Sequence, residues 1–286
     1  IELGWLHEYG ANGLKQVRSP NGGGTRTFDM HHNYQLQQAG LADANCMNIT
    51  LHRTILQNEL IGIFKNQDIL HLILNISFVN ELGQDSDGVS RDAYAGFWDS
   101  FYQKNTDGET YRVPILVNEY SQEEWGAIGR ILLKGFIDHK YFPINLAPAF
   151  SIALILGEEH LTPSIDSILN IYDSLKTTVQ KVIKLFNATP LCKEESTSFE
   201  FLKRFTRGRD SRQLKRLLRL LTGSDVICVD QILVSFVVRH GCQRIPTIHT
   251  CGPSLELPST YLSFPDFRSE WENILENKES IKMTIA

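Results

Sequence analysis

The chain has 286 residues, a net charge of −5 and an apolar content of 42%, enough to bury a sizeable core. That charge excludes binding of nucleic acid by bulk electrostatics, and no apolar run approaches the roughly 18 residues that read as a membrane span. Five cysteines, an odd number thinly spread, read as thiols of a reducing compartment, cytoplasm or nucleus, rather than as a disulfide framework.

No signal-peptide pattern stands at the start, and the first residue is Ile1 rather than Met, so the chain is read as part of a longer protein. Residues 1–72 are the least legible. Gly10, Gly13 and the run Pro20-Asn21-Gly22-Gly23-Gly24-Thr25-Arg26 break every periodicity. The triple glycine is no phosphate loop, because no Gly-Lys-Ser/Thr follows and no apolar strand leads in. It reads as a surface turn.

From Ile69 the apolar density rises. Leu74, Ile76 and Phe78 alternate with Asn75 and Ser77, the pattern of a strand covered on one side. The acidic turn after Glu81 lacks the ligand spacing of a calcium loop. Ser90 is read as the N-cap of a helix carrying Tyr94, Phe97, Trp98 and Phe101 inward. Ser121 and Glu124 form a capping-box pattern, and Trp125, Ile128, Leu132 and Phe136 follow at helical spacing. Residues 147–156 are apolar nearly all round and read as a fully buried helix ended by Gly157. Thr162-Pro163 is read as the start of one long helix, with an apolar stripe from Ile165 to Phe186. Residues 187–198 read as a loop, and 206–211 as a hinge between two helical patterns. The next helix carries Leu214, Leu217, Leu218 and Leu221 on one face. Its other face, with Arg212, Lys215, Arg216 and Arg219, reads as solvated, with an acidic partner or a nucleic acid as the alternative.

The period then switches to two. Residues 232–238 are β-prone enough for a central strand, 245–249 and 254–257 read as shorter strands, and Phe267, Trp271, Ile274 and Leu275 build a closing helix. The fold class is α+β in two lobes, the first mostly helical with a few strands, the second small and mixed. Within the second lobe His249-Thr250-Cys251 ends a strand and meets Gly252-Pro253. A thiol at the tip of a strand is open to a reaction partner, so Cys251 is the candidate nucleophile. Alternation along an extended strand puts His249 on the same side as Cys251. From there it would stabilise the thiolate, or it is an ordinary strand histidine. No cofactor is implied. The two pairs His240/Cys242 and His249/Cys251 have zinc-ligand chemistry but no standard spacing, so no metal is expected and zinc stays an alternative.

Several blocks, in order, resemble the HECT-type ubiquitin ligases. They are Phe78-Val79-Asn80-Glu81 with Gly83, Asp85 and Gly88-Val89-Ser90-Arg91-Asp92; Ile128-Gly129-Arg130-Ile131 with 145–149 and Leu156-Gly157; Leu217-Leu218 with Leu221-Thr222-Gly223; and His249-Thr250-Cys251 with Leu257-Pro258 and Tyr261. Asp87 stands where the family has a glycine, and Asp92 where it has a glutamate. The resemblance implies a reduced N-lobe over 73–208 and a C-lobe over 209–286. It implies a ubiquitin-protein transferase in which Cys251 takes ubiquitin as a thioester from a ubiquitin-conjugating enzyme and passes it to a lysine of a protein substrate. His249 and Thr250 would be supporting residues, and neither nucleic acid nor membrane would be a partner. The span between Leu156-Gly157 and Thr222-Gly223, where the family carries the subdomain that grips the conjugating enzyme, is much shorter here. A degenerate ligase fold kept as a binding scaffold is therefore the second reading.

Overall fold

A computed structural model describes residues 46–81, 87–115 and 120–276. The glycine-rich run at 20–26 and the acidic turn residue Asp85 lie outside them. The described chain is a mixture of helix and short sheets, as α+β requires.

Its first part opens with strand β1 (Cys46–Leu51), helix α1 (Leu56–Ile63) and a 3₁₀ turn (Gln67–His71). These lead to β2 (Ile73–Phe78), which pairs with β1 in parallel, Ile49 opposite Ile76. Residues 46–72, illegible from sequence, thus belong to the first core. Helix α2 (Gly88–Asn105) starts two residues before the expected cap; Asp87 is its N-cap and Ser90 lies buried inside it. A small hairpin, β3 (Thr106–Asp107) with β4 (Val113–Pro114), precedes α3 (Gln122–His139). Here the capping box forms as read: Ser121 Oγ accepts from the Glu124 N–H while Glu124 accepts from the Ser121 N–H at 2.8 Å.

Helix α4 (Pro148–Leu156) ends at Gly157, whose φ is +95°. Only Ser151, Ile152 and Ile155 of it are buried, so the expected all-round burial is corrected to a single inward stripe. The expected long helix is two. Helix α5 (Leu161–Leu175) stops before Lys176, and α6 (Val179–Leu185) begins after Thr178, whose hydroxyl accepts from the Lys181 N–H. Phe186, expected on the helix stripe, opens strand β5 (Phe186–Ala188) instead.

Residues 193–198, expected in a loop, are the first turns of α7 (Lys193–Arg207). A capping box on Asp210 and Gln213 starts α8 (Ser211–Thr222), and Gly223 closes it at φ +80°. Then come β6 (Ile232–Val237), β7 (Thr247–His249), β8 (Ser254–Pro258) and α9 (Phe264–Glu276). The sheet order is β5-β6-β8-β7. Strand β6 is central as its composition demanded, and β7 is an edge strand joined antiparallel to β8.

Buried side chains form two clusters. One gathers Leu51, Leu60, Ile76, Phe97, Trp98, Ile131 and Ile152 from β1 to α5, joined by Val226 from the segment after α8; the other gathers Val182, Leu202, Phe205, Leu217, Val234, Leu255 and Trp271 from α6 to α9. Trp98 meets Phe97 and Phe101 edge-on, at 5.1 and 5.3 Å between ring centroids, an arrangement favoured by the ring quadrupole. Phe205 of α7 and Leu217 of α8 share one cluster. The turn at 206–211 therefore joins two helices of one core, and the packing divides near 176–181.

Candidate functional site

The β7–β8 hairpin carries Cys251. His249 pairs with Ser254, so Thr250, Cys251, Gly252 and Pro253 form the tip. Both ends of that tip are fastened. The Pro253 carbonyl accepts from the Leu233 N–H of β6 at 2.9 Å. The Thr250 carbonyl accepts from Arg91 Nη2 at 2.6 Å. Between the two anchors sit Cys251, half-buried, and Gly252, which has open space where a side chain would be.

Arg91 reaches the tip from the other cluster, on the first turn of α2. It is buried, and its Nε donates to the Thr222 carbonyl at the end of α8, 2.8 Å away. Two glycines bring the backbones together around it. A Cβ on Gly88 would overlap the Thr250 hydroxyl and lie 2.7 Å from the Thr250 carbonyl carbon. One on Gly223 would overlap the Gly88 carbonyl oxygen. Only glycine permits these approaches.

Beside this contact lies a chain of charges. Asp92, fully buried, takes Arg219 Nε of α8 at 2.7 Å and Arg53 Nη1 at 2.7 Å. Arg53 also pairs with Glu81, and Arg219 with Asp99. Burial opposes the Arg219 charge, but the carboxylates of Asp92 and Asp99 more than offset it and hold the guanidinium firmly protonated. The basic face of α8 is therefore not simply solvated; Arg219 finds its acidic partners within the chain.

His139, the last residue of α3, packs 5.8 Å from the Tyr94 ring and 3.6 Å from the Asp87 carboxylate. Burial, then the nearby charges of Arg91 and Lys134, push its pKa down to about 3. Burial pushes the Cys228 thiol up, against a Ser224 hydrogen bond and the Arg91 charge, which makes it a poor nucleophile.

The sequence-predicted residues come together in part. Thr250 and Cys251 share the tip, whereas His249 is exposed on the last paired position of β7. In-register pairing puts His249 in a row with Ser254, Leu233 and Asn187 across the sheet, on the face opposite the second core. Strand geometry ends at His249, so alternation no longer sets the direction of Cys251. For the zinc alternative, no three His, Cys, Asp or Glu side chains among the described residues converge as a metal site; the Cys242 side chain lies outside them. Cys46, Cys192, Cys228 and Cys251 are in no disulfide. Sequence reasoning missed Arg91 and Gly88 as neighbours of the tip. Their spacing on one helical turn was visible, but their partner 159 residues away was not.

No family model matches the chain, and no curated protein matches it in sequence.

Proposed function

We propose that the protein is a ubiquitin-protein transferase working through a thioester on Cys251, with the two cores serving as the N- and C-lobes of a HECT-like architecture. The observation that carries this reading is the placement of Cys251 at the apex of a hairpin anchored on both sides. Such a tip presents a thiol to a large partner while the sheet behind it stays fixed. In the first step the Cys251 sulfur attacks the carbonyl carbon of ubiquitin's thioester on the conjugating enzyme; that enzyme's sulfur leaves and takes the proton. In the second step a neutral lysine amine attacks the new thioester. An amide forms, the Cys251 sulfur leaves, and the amine proton returns to it. A thioester keeps most of its acyl-transfer potential, so neither step needs a cofactor.

A binding scaffold is the second reading, favoured by the short stretch from α4 to α8, which holds a 3₁₀ turn (Glu158–His160), α5, α6, β5 and α7. One experiment separates the two. Activating enzyme, a panel of conjugating enzymes and ubiquitin are mixed with the protein and run on non-reducing gels. A thiol-sensitive adduct that vanishes in Cys251→Ala is expected. Absence of any adduct across the panel favours the scaffold.

A further inference from the structure

We propose that Arg91 is a positioning residue for Cys251, fixing the hairpin tip by its grip on the carbonyl immediately before the thiol. The functional part of this inference rests on the thioester reading; the clamp itself does not. Arg91 stands on α2, rooted in the first core, and both carbonyls it holds belong to elements of the second core. One planar guanidinium thus ties the end of α8 and the start of the tip to the same point. Lysine lacks the fork that makes two directed bonds. Gly88 and Gly223 set the backbones close enough for the fork to reach. The far side of the tip is held independently through Pro253, so loss of Arg91 removes the anchor on the Thr250 side and leaves the other in place.

The clamp holds a half-buried thiol in one orientation. An acyl group on that sulfur is then presented to an incoming amine in a narrow range of geometries, and small displacements of reacting atoms are costly. Charge-assisted hydrogen bonds are among the stronger ones, and one at the tip is worth about tenfold in the population of the held conformation.

The test uses the full chain with Arg91→Lys, Arg91→Ala and Gly88→Ala. The last keeps the arginine but forces Thr250 away, and it stands in if the arginine variants fail to fold. Peptide-resolved alkylation of Cys251 by iodoacetamide is expected to quicken about tenfold in all three as the tip loosens. Discharge of preloaded ubiquitin to free lysine is expected to fall about tenfold in kcat with KM for lysine unchanged. Methylguanidine is expected to restore both rates in Arg91→Ala but not in Gly88→Ala, a rescue that a general loss of stability would not show. Wild-type alkylation rates in the folded variants overturn the clamp. Faster alkylation with unchanged discharge overturns its role in transfer. If wild type forms no ubiquitin adduct, the thioester reading fails, and alkylation alone decides the clamp.

Discussion

Asp92 and Arg219 meet at 2.7 Å across 127 residues of chain, and Arg53 closes on the other oxygen of the same carboxylate. Asp92 is fully buried, so its charge is stable there only because two guanidinium groups face it. Without Asp92 each arginine keeps one carboxylate, Arg53 that of Glu81 and Arg219 that of Asp99, so what is lost is the buried charge-assisted bonding. Asp92→Ala is expected to lower the unfolding free energy by about 1.5–3 kcal/mol. Urea unfolding reads this as a shifted midpoint with the slope preserved. A loss below about 1 kcal/mol would mean that water reaches the two arginines and relieves them.

Gly223 joins two demands at one position. Its φ of +80° is one that residues with a Cβ rarely adopt, and that Cβ would overlap the Gly88 carbonyl. Gly223→Ala is expected to cost about 1–2 kcal/mol from the backbone alone, with the overlap adding to it. Gly252 at the hairpin tip is the control, since nothing lies near its missing side chain. Gly252→Ala is expected to stay within about 0.5 kcal/mol of wild type. Thermal unfolding of both variants checks the contrast, and equal losses would defeat it.

What the sequence disclosed followed how local each signal is. The Ser121–Glu124 capping box, the glycine stop after Thr222 and the alternation in β2 and β6 are written within a few neighbouring residues, and all stand in the fold. The start of α7 was hidden because its first turns are Lys193, Glu194, Glu195, Ser196, Thr197 and Ser198, with no apolar residue until Phe199. The break at 176–178 was hidden because the apolar spacing of α5 and α6 runs on through it, while the hydroxyl cap on Thr178 is a weak signal. Arg219 looked like one more solvated base because its carboxylates lie on a distant helix. At the candidate site, the hairpin tip was legible and its tether to α2 was not. Those contacts are made between units of the chain, where no periodicity records them.

His139 gives a pH dependence of definite sign. Its pKa is about 3 in the folded chain, against about 6.5 when unfolded, so the unfolded state binds the proton first. The neutral ring therefore contributes stability that is fully present above about pH 6.5 and is lost as pH falls towards 3. At the steepest this amounts to about 1.4 kcal/mol per pH unit. His139→Gln removes the titration, and the other acidic groups cancel in the comparison. The difference between wild type and variant is expected to slope across pH 3–6.5 and to be flat above it. Parallel pH profiles would show that the imidazole is not buried in its neutral form.

His249 stands beside Cys251 in sequence but on the outer face of the sheet in space, in a row with Ser254 and Leu233. Being exposed, it contributes little packing, and His249→Ala is expected to leave stability within about 0.5 kcal/mol of wild type. A histidine held as general base supplies roughly 10²–10⁴-fold, but that needs the ring aimed at the sulfur. An imidazole at the last paired position of β7 is not so directed by strand geometry. If the proposed thioester chemistry holds, His249→Ala is accordingly expected to slow thioester formation by less than about tenfold and Cys251→Ala to abolish it. Single-turnover loading on non-reducing gels measures both. A loss of a hundredfold or more in His249→Ala would mean that the ring turns over the tip during reaction and that its exposed position is only the resting one.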